Sequence, residues 1–305
     1  MLSLAVIILT YNEERHIARA LDCVTEFAEQ IFVIDSFSTD RTSEIARAYP
    51  RATVVEHNFI NYSDQFQWAL DKIDTQCDWI MRLDADEIVE ADLVEEIKTK
   101  LPMLPSEVVG VNLKRKHIFM KRWIRHGGRY PLTLLRVWRR GHGRIENRWM
   151  DEHIVIWGGV TITFEGGFSD ENQNDLTFFI NKHNKYATRE AVDRLNEEFE
   201  FLSLDVAVSV GASSKQARVR RFLKQRVYNH LPVGVGPLCY FSWRYFFQLG
   251  FLDGKEGLIY HFLQGCWYRF LVEAKVTELR RALILPKGRA ELKLELSRLT
   301  GLDIK

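Results

Sequence analysis

At 305 residues the chain sits at the upper limit of what one hydrophobic core serves, so one enlarged domain, or a domain with an extension, is expected. With 46% hydrophobic and 27% charged residues it is globular, which excludes wholesale disorder. Lys and Arg number 42 against 41 Asp and Glu, and the net charge of +1 excludes polyanion binding by bulk charge.

Leu4–Leu9 is a continuous apolar run of strand length. The start lacks the basic region and small-residue cleavage site of a secretion signal, so it reads as a buried strand and secretion is not expected. A helix is expected from Asn12, carrying Ile17, Leu21 and Val24 on one face. Ile31–Ile34 reads as a second buried strand ending at Asp35, and a helix follows from Ser38 through Ala48, closed by Pro50. Ala52–Val55 is a third strand, and Tyr62–Ile73 carries Phe66, Ala69, Leu70 and Ile73 at helical spacing. Trp79–Leu83 is a fourth strand, and Glu90–Leu101 a helix stopped by Pro102. Strands buried on both faces and separated by helices predict a parallel three-layer α/β sheet. Ligands of such sheets bind at the carboxyl ends of the strands, which here carry Thr10-Tyr11-Asn12, Asp35-Ser36 and Asp84-Ala85-Asp86-Glu87.

After Pro105 come short strand candidates, Val108–Leu113, Leu134–Trp138, Ile154–Trp157 and Val160–Phe164, with basic and Gly-rich connections. They predict an antiparallel or mixed region that completes the sheet. Asn172–Glu200 is polar and helical, and from Ser214 the chain is helical, basic and aromatic. The expected organisation is a catalytic domain over 1–170, a helical bridge over 171–212 and a helical extension over 213–305. Charge is divided unevenly. Met1–Lys100 has 20 acidic and 9 basic residues, Lys114–Arg148 has 12 basic and one acidic, and Ser213–Lys305 has 17 basic and 7 acidic. Opposed blocks suggest a polyanionic ligand or surface meeting the later segments, or else solvated faces that neutralise one another. The four cysteines have no metal spacing and read as reduced intracellular thiols, mostly core filler. No uncharged apolar stretch is long enough for an ordinary membrane-spanning helix.

Asp84-x-Asp86 directly follows a strand, so its two carboxylates converge. A hard cation, Mg2+ or Mn2+, takes such ligands while keeping positions open for phosphate oxygens. The alternative is an acidic loop that caps the helix at Glu90. Neither GxGxxG nor GxxxxGK[ST] occurs. A nucleotide site would therefore use carboxylates and backbone amides, with the metal cradling a diphosphate.

The succession Ile8-Leu-Thr-Tyr-Asn-Glu-Glu14, Val33-Ile-Asp-Ser-Phe-Ser-Thr-Asp40 and Arg82-Leu-Asp-Ala-Asp-Glu87 resembles the start of inverting family 2 glycosyltransferases of the GT-A fold. The resemblance covers about the first 170 residues. Gly250-Phe-Leu-Asp-Gly-Lys-Glu-Gly257 followed by Trp267–Lys275 resembles the subgroup of lipopolysaccharide-core β-1,4-glucosyltransferases and related surface-polysaccharide enzymes. The resemblance implies that Thr10, Tyr11, Asn12 and Glu13 line the base and ribose of a UDP-sugar. It likewise implies that Asp35, beside Ser36, bonds the base, and that Asp84, with Ala85, approaches the ribose or the metal. Asp86 would ligate the metal. Many members read VDDGSTD, so Ser36 and Phe37 depart from the pattern.

Direct displacement at an anomeric carbon needs a carboxylate to take the acceptor's proton and a positive group to neutralise the departing diphosphate. In the resembled subgroup the base is a glutamate following a histidine. Glu152 matches it, and Asp151 stands in place of the histidine. The alternative is that Asp151 and Glu152 pair with Arg144 or Arg148 on a surface turn. Arg136 or Arg139 could contact the donor phosphate or an anionic acceptor bidentately, or form part of a solvated positive face.

In Leu258–Leu279, Ile259, Phe262, Leu263, Cys266, Trp267, Phe270 and Ala274 recur at three- and four-residue steps as one apolar face. Leu238–Phe247 is aromatic, and Lys215, Arg218, Arg220, Arg221, Lys224 and Arg226 form a cationic cluster before it. Aromatics beside cations without a spanning stretch predict a segment lying in an anionic membrane interface. The same stripe could instead pack on the catalytic domain or form a homo-oligomer interface. The reading is then a metal-dependent inverting hexosyltransferase acting from a UDP-sugar, glucose foremost, on a surface-glycan or lipid-linked acceptor. It is expected in the cytoplasm, peripheral on the inner face of the membrane. A nucleotidyltransferase would need a Gly-rich phosphate loop, which is missing. A non-enzymatic polyanion binder lacks a recognisable module, and an acidic N-terminal half repels nucleic acid.

Overall fold

The computed structural model describes residues 2–146, 153–201, 232–283 and 288–304. Strands β1 (Leu4–Thr10), β2 (Gln30–Asp35), β3 (Ala52–Glu56) and β4 (Trp79–Asp84) are parallel, in the order β3-β2-β1-β4. Between and after them come helices α1 (Ile17–Thr25), α2 (Thr42–Arg47), α3 (Tyr62–Lys72) and α4 (Ala91–Lys100). The pleat sends alternate residues to opposite faces. Leu4, Val6 and Ile8 join Ile31, Val33, Met81 and the apolar faces of α1, α2 and α4 in one core. Ala5 and Ile7 join Phe32, Ile34 and α3's Phe66 and Ala69 in another. The fold is therefore a three-layer α/β/α sandwich, GT-A-like, built from strands that are apolar on both sides.

The remaining strands are β5 (Glu87–Val89), β6 (Val108–Phe119), β7 (Arg122–Ile124), β8 (Leu132–Arg139), β9 (Gly143–Ile145), β10 (Ile154–Ile156) and β11 (Val160–Glu171). The sheet continues from β4 through β8, β6 and β11 to β5, with β7 paired on β6. β8 is antiparallel to β4 and β6, and β11 runs parallel to β6 and antiparallel to β5. β9 and β10 form a separate ribbon. The sheet is thus mixed beyond β4. Because β2 lies on one side of β1 and β4 on the other, chain direction opens a crevice at their carboxyl ends.

The described residues from Asn174 onward form a second unit. It holds α5 (Leu176–Phe199), α6 (Val235–Ser242), a π-helical turn at Trp243–Phe247, a 3-10 turn at Gly250–Asp253 and α7 (Gly254–Tyr260). A second π-helical stretch at His261–Trp267 leads into α8 (Tyr268–Ala282), and α9 (Arg289–Thr300) follows. Asp175 caps α5 by accepting from the Phe178 amide at 2.8 Å. Ala187, Ala191, Val192 and Leu195 of α5 pack with Val272, Val276 and Leu279 of α8 and with Leu292 and Leu296 of α9.

Two expectations change. The first helix begins at Ile17, not Asn12, and the second at Thr42, not Ser38. Of the members of the tail's apolar stripe only Cys266 is buried; Ile259, Leu263, Trp267 and Ala274 are half-buried, and Phe262 and Phe270 are exposed. The buried side of this stretch passes through Tyr260, His261, Val272 and Val276.

Candidate active site

The sheet register brings the three motifs together. Thr10 is the register partner of Asp35, and Leu9 is the partner of Asp84. The ends of β2, β1 and β4 therefore stand side by side at the crevice.

Hydrogen bonds lace the first two loops together. Asp35 is 1% exposed, and its carboxylate accepts from the Thr10 hydroxyl (2.9 Å), the Ser38 amide (2.8 Å) and the Ser38 hydroxyl (2.5 Å). The Asn12 amide donates to Ser38 Oγ at 2.9 Å, and Asn12 Oδ1 accepts from the Thr39 amide at 2.8 Å. Asp40 accepts from the Thr42 hydroxyl and amide and from the Glu14 amide. Burial opposes ionisation of Asp40, but these donors win and hold its carboxyl below the ordinary value. Ser36 accepts from Gln65 Nε2 at 3.2 Å. His16, 1% exposed, accepts from the Gln173 amide at Nε2, which leaves Nδ1 to donate to Glu13 at 2.5 Å and aim that carboxylate.

The third loop is organised by charge. Asp84 meets Arg82 Nε and Arg136 Nη2, each at 3.3 Å, and its amide donates to Glu87 at 2.9 Å. Burial again opposes ionisation, yet Arg82 and Arg136 hold the Asp84 carboxyl well below the carboxylate range. Arg136 lies 2.5 Å from Glu87, and both side chains are almost fully buried. Burial, with Asp84 and Asp170 nearby, pushes the Glu87 carboxyl up to about 8 despite Arg136. Asp86 is half-buried, and its carboxylate accepts from Asn172 Nδ2 at 3.0 Å.

A family model for glycosyl transferase family 2 matches residues 5–169, which is 165 of the 305 residues. The chain belongs to glycosyl transferase family 2. Curated relatives include an uncharacterised glycosyltransferase of Rickettsia typhi, 34% identical over 100 residues, which are 32% of each chain. One of Rickettsia bellii is 37% identical over 97 residues, 31% of each chain. The match thus spans about a third of the length of these relatives. Among solved structures, glucosyl-3-phosphoglycerate synthase of Mycobacterium tuberculosis, in complex with Mn2+, UDP and product, is 21% identical. That likeness covers 38% of this chain and 44% of that one at a TM-score of 0.30, and what that enzyme binds does not transfer on such a likeness.

The residues picked from this family 2 sequence divide by exposure. Tyr11 and Asn12 are exposed, and Glu13, Ser36, Asp84 and Asp86 are half-buried. Thr10, Asp35 and Ala85 are buried, and the Ala85 methyl lies in the core beneath the loop. Thr10 and Asp35 therefore fasten the loops, and Ala85 offers only backbone. Arg136 is no solvated cation; it is 5% exposed, pairs with Asp84 and donates to Glu87. Arg139 lies over the Trp79 ring at 4.4 Å and is the register partner of Trp79, at the amino end of β4. That is roughly 17 Å of strand from Asp84, so it serves the opposite edge. Asp151 and Glu152 lie outside the described residues.

Oxygen donors on the β4–β5 turn suit a hard cation. Asp86 is the stronger donor, because two arginines already share the charge of Asp84. Among the described residues no three His, Cys, Asp or Glu side chains gather to hold a metal unaided. The sequence motifs contain Arg82, Glu87 and Asp40 but assign them no role, and they do not include His16 or Gln65. Arg82 and Glu87 flank the Asp-x-Asp in the motif itself, a signal that was there to use. Gln65 and His16 act across loops, and no spacing rule marks them.

Proposed function

We propose that this chain is a metal-dependent inverting glycosyltransferase that moves a hexose, with glucose as first candidate, from a UDP-sugar to a bacterial surface-glycan or lipid-linked acceptor. The lipopolysaccharide core or an exopolysaccharide or capsule repeat would be that acceptor, in keeping with the tail's resemblance to β-1,4-glucosyltransferases. The observation that carries the reading is the register that sets Thr10 beside Asp35 and Leu9 beside Asp84 in a family 2 domain. In this reading Tyr11, Asn12, Glu13 and Ser36 meet the nucleoside, on loops fixed by Thr10 and Asp35. Asp86, with Asp84, holds Mg2+ or Mn2+, which when bound neutralises charge on the departing diphosphate. Arg136 and Arg82 position Asp84. Glu152, beside Asp151, takes the proton from the acceptor hydroxyl as general base. The protein would work in the cytoplasm on the inner face of the membrane, against an anionic surface and without nucleic acid, with homo-oligomerisation open to test.

Turnover of a panel of nucleotide sugars with Mg2+ or Mn2+ tests this reading. UDP release from a UDP-hexose is the expected result. Turnover of no nucleotide sugar, with or without metal, would overturn it.

A further inference from the structure

In the second unit α6 and the π stretch His261–Trp267 fold back on each other as a helical hairpin. Phe241 meets the Phe262 ring edge-on at 5.9 Å, and Arg244 Nη1 donates to Gln264 Oε1 at 3.2 Å. The sequence from Val233 to Gly254 holds only two charged residues, Arg244 and Asp253. Both are turned inward: Arg244 is 3% exposed and lies over the Tyr240 and Tyr260 rings, and Asp253 is 2% exposed and lies 3.7 Å from buried His261. Water-facing positions carry apolar side chains instead. Trp243, Phe246, Phe247, Phe251, Leu252 and Phe262 are all exposed, Phe247 to 72%. This inverts the rule that charge lies outside and large apolar groups inside.

We infer that this hairpin is a monotopic membrane anchor, dipping its Trp243–Leu252 turn into one leaflet of an anionic bilayer. Three observations favour lipid over a protein partner. Exposed apolar residues run consecutively at Phe246–Phe247 and Phe251–Leu252, with Gln248 the one exposed polar side chain of the turn, so apolar groups protrude from it in several directions, as a fluid apolar solvent accepts and a flat docking face does not. Its eight-residue α6 is roughly 12 Å long against a hydrocarbon core of about 30 Å, so it can enter a leaflet but not cross it. A cation follows the turn directly: Lys255 is 86% exposed, and in sequence the Lys215–Arg226 cluster, outside the described residues, precedes it. Aromatics at the interface with lysines and arginines at headgroup level suit anionic lipid. The inference deepens the lipid-linked acceptor reading and rests on it only for why an anchor is useful.

The test floats the full chain with phosphatidylethanolamine–phosphatidylglycerol vesicles and with phosphatidylcholine vesicles, beside a Phe246→Ser/Phe247→Ser variant. The intact chain should float with the anionic vesicles and more weakly with the neutral ones. Brominated acyl chains should quench its fluorescence, less so after Trp243→Phe. The double variant should lose partitioning on the order of tenfold to a hundredfold, with its thermal midpoint and UDP-sugar turnover unchanged. An intact chain that stays in the soluble fraction with both vesicles overturns the anchor, as does a variant that floats like the parent. So does a variant that merely converts a dimer to a monomer in ultracentrifugation, since the face would then meet a second copy. Turnover is read on the same samples. Flotation without turnover sinks the transferase reading alone, and turnover without flotation sinks the anchor alone.

Discussion

The Thr10 hydroxyl donates a 2.9 Å hydrogen bond to the Asp35 carboxylate across the paired ends of β1 and β2. This bond makes two loops one rigid wall of the crevice, because Asp35 also gathers both donors of Ser38. Asp35→Ala should therefore cost about 2–3 kcal/mol, leaving three donors without their charged acceptor, and Thr10→Val about 1 kcal/mol. Urea unfolding of the full chain measures both. Parent-like stability of Asp35→Ala would show that the carboxylate serves only a ligand.

Arg136 pairs with Asp84 and donates to the buried Glu87 carboxyl. Arg136→Met should destabilise by about 1–3 kcal/mol, because the buried Glu87 carboxyl loses its donor and Asp84 loses one of its two arginines. A variant that melts normally and loses only donor affinity would make Arg136 a phosphate contact after all.

The shifted carboxyls set opposite pH limits. Asp40 is depressed when folded, so its contribution is present above about pH 4 and is lost as pH falls through the folded value. Glu87 is raised to about 8, so its contribution is present below its ordinary value and is lost as pH rises toward and through 8. Melting curves from about pH 3 to about pH 9 should show both declines. Glu87→Gln should flatten the alkaline side and Asp40→Asn the acid side.

Phe37 adopts a left-handed conformation, φ 58°, where many family members carry glycine, and it is half exposed. Phe37→Gly should raise stability by about 1 kcal/mol by removing the Cβ clash. A lower midpoint would mean that the ring has packing worth more than the strain.

The parallel strands were legible because Leu4–Leu9, Ile31–Ile34 and Trp79–Leu83 are apolar on both faces, and their ends led to the crevice. The onset of the first helix was not. Asn12 looks like a helix start, but it is left-handed, φ 56°, and its side chain accepts from Thr39 rather than from the helix. β5 was invisible because three residues after the Asp-x-Asp read as a helix cap, and only pairing with β11 makes Glu87–Val89 a strand. Arg136 and Arg139 looked alike in sequence. Three residues apart on β8, they belong to different environments, one closing on Glu87 and the other on Trp79.

UDP-sugar turnover against metal concentration, in the parent and in Asp86→Asn, tests the central claim most directly. The substitution keeps an oxygen for Asn172 and removes one anionic ligand, so folding should be unchanged. The account predicts turnover that requires Mg2+ or Mn2+ in the parent and falls by about 10²–10³-fold in Asp86→Asn, with an unchanged melting midpoint. Full parent turnover in excess chelator, or an Asp86→Asn enzyme as active as the parent, would contradict it.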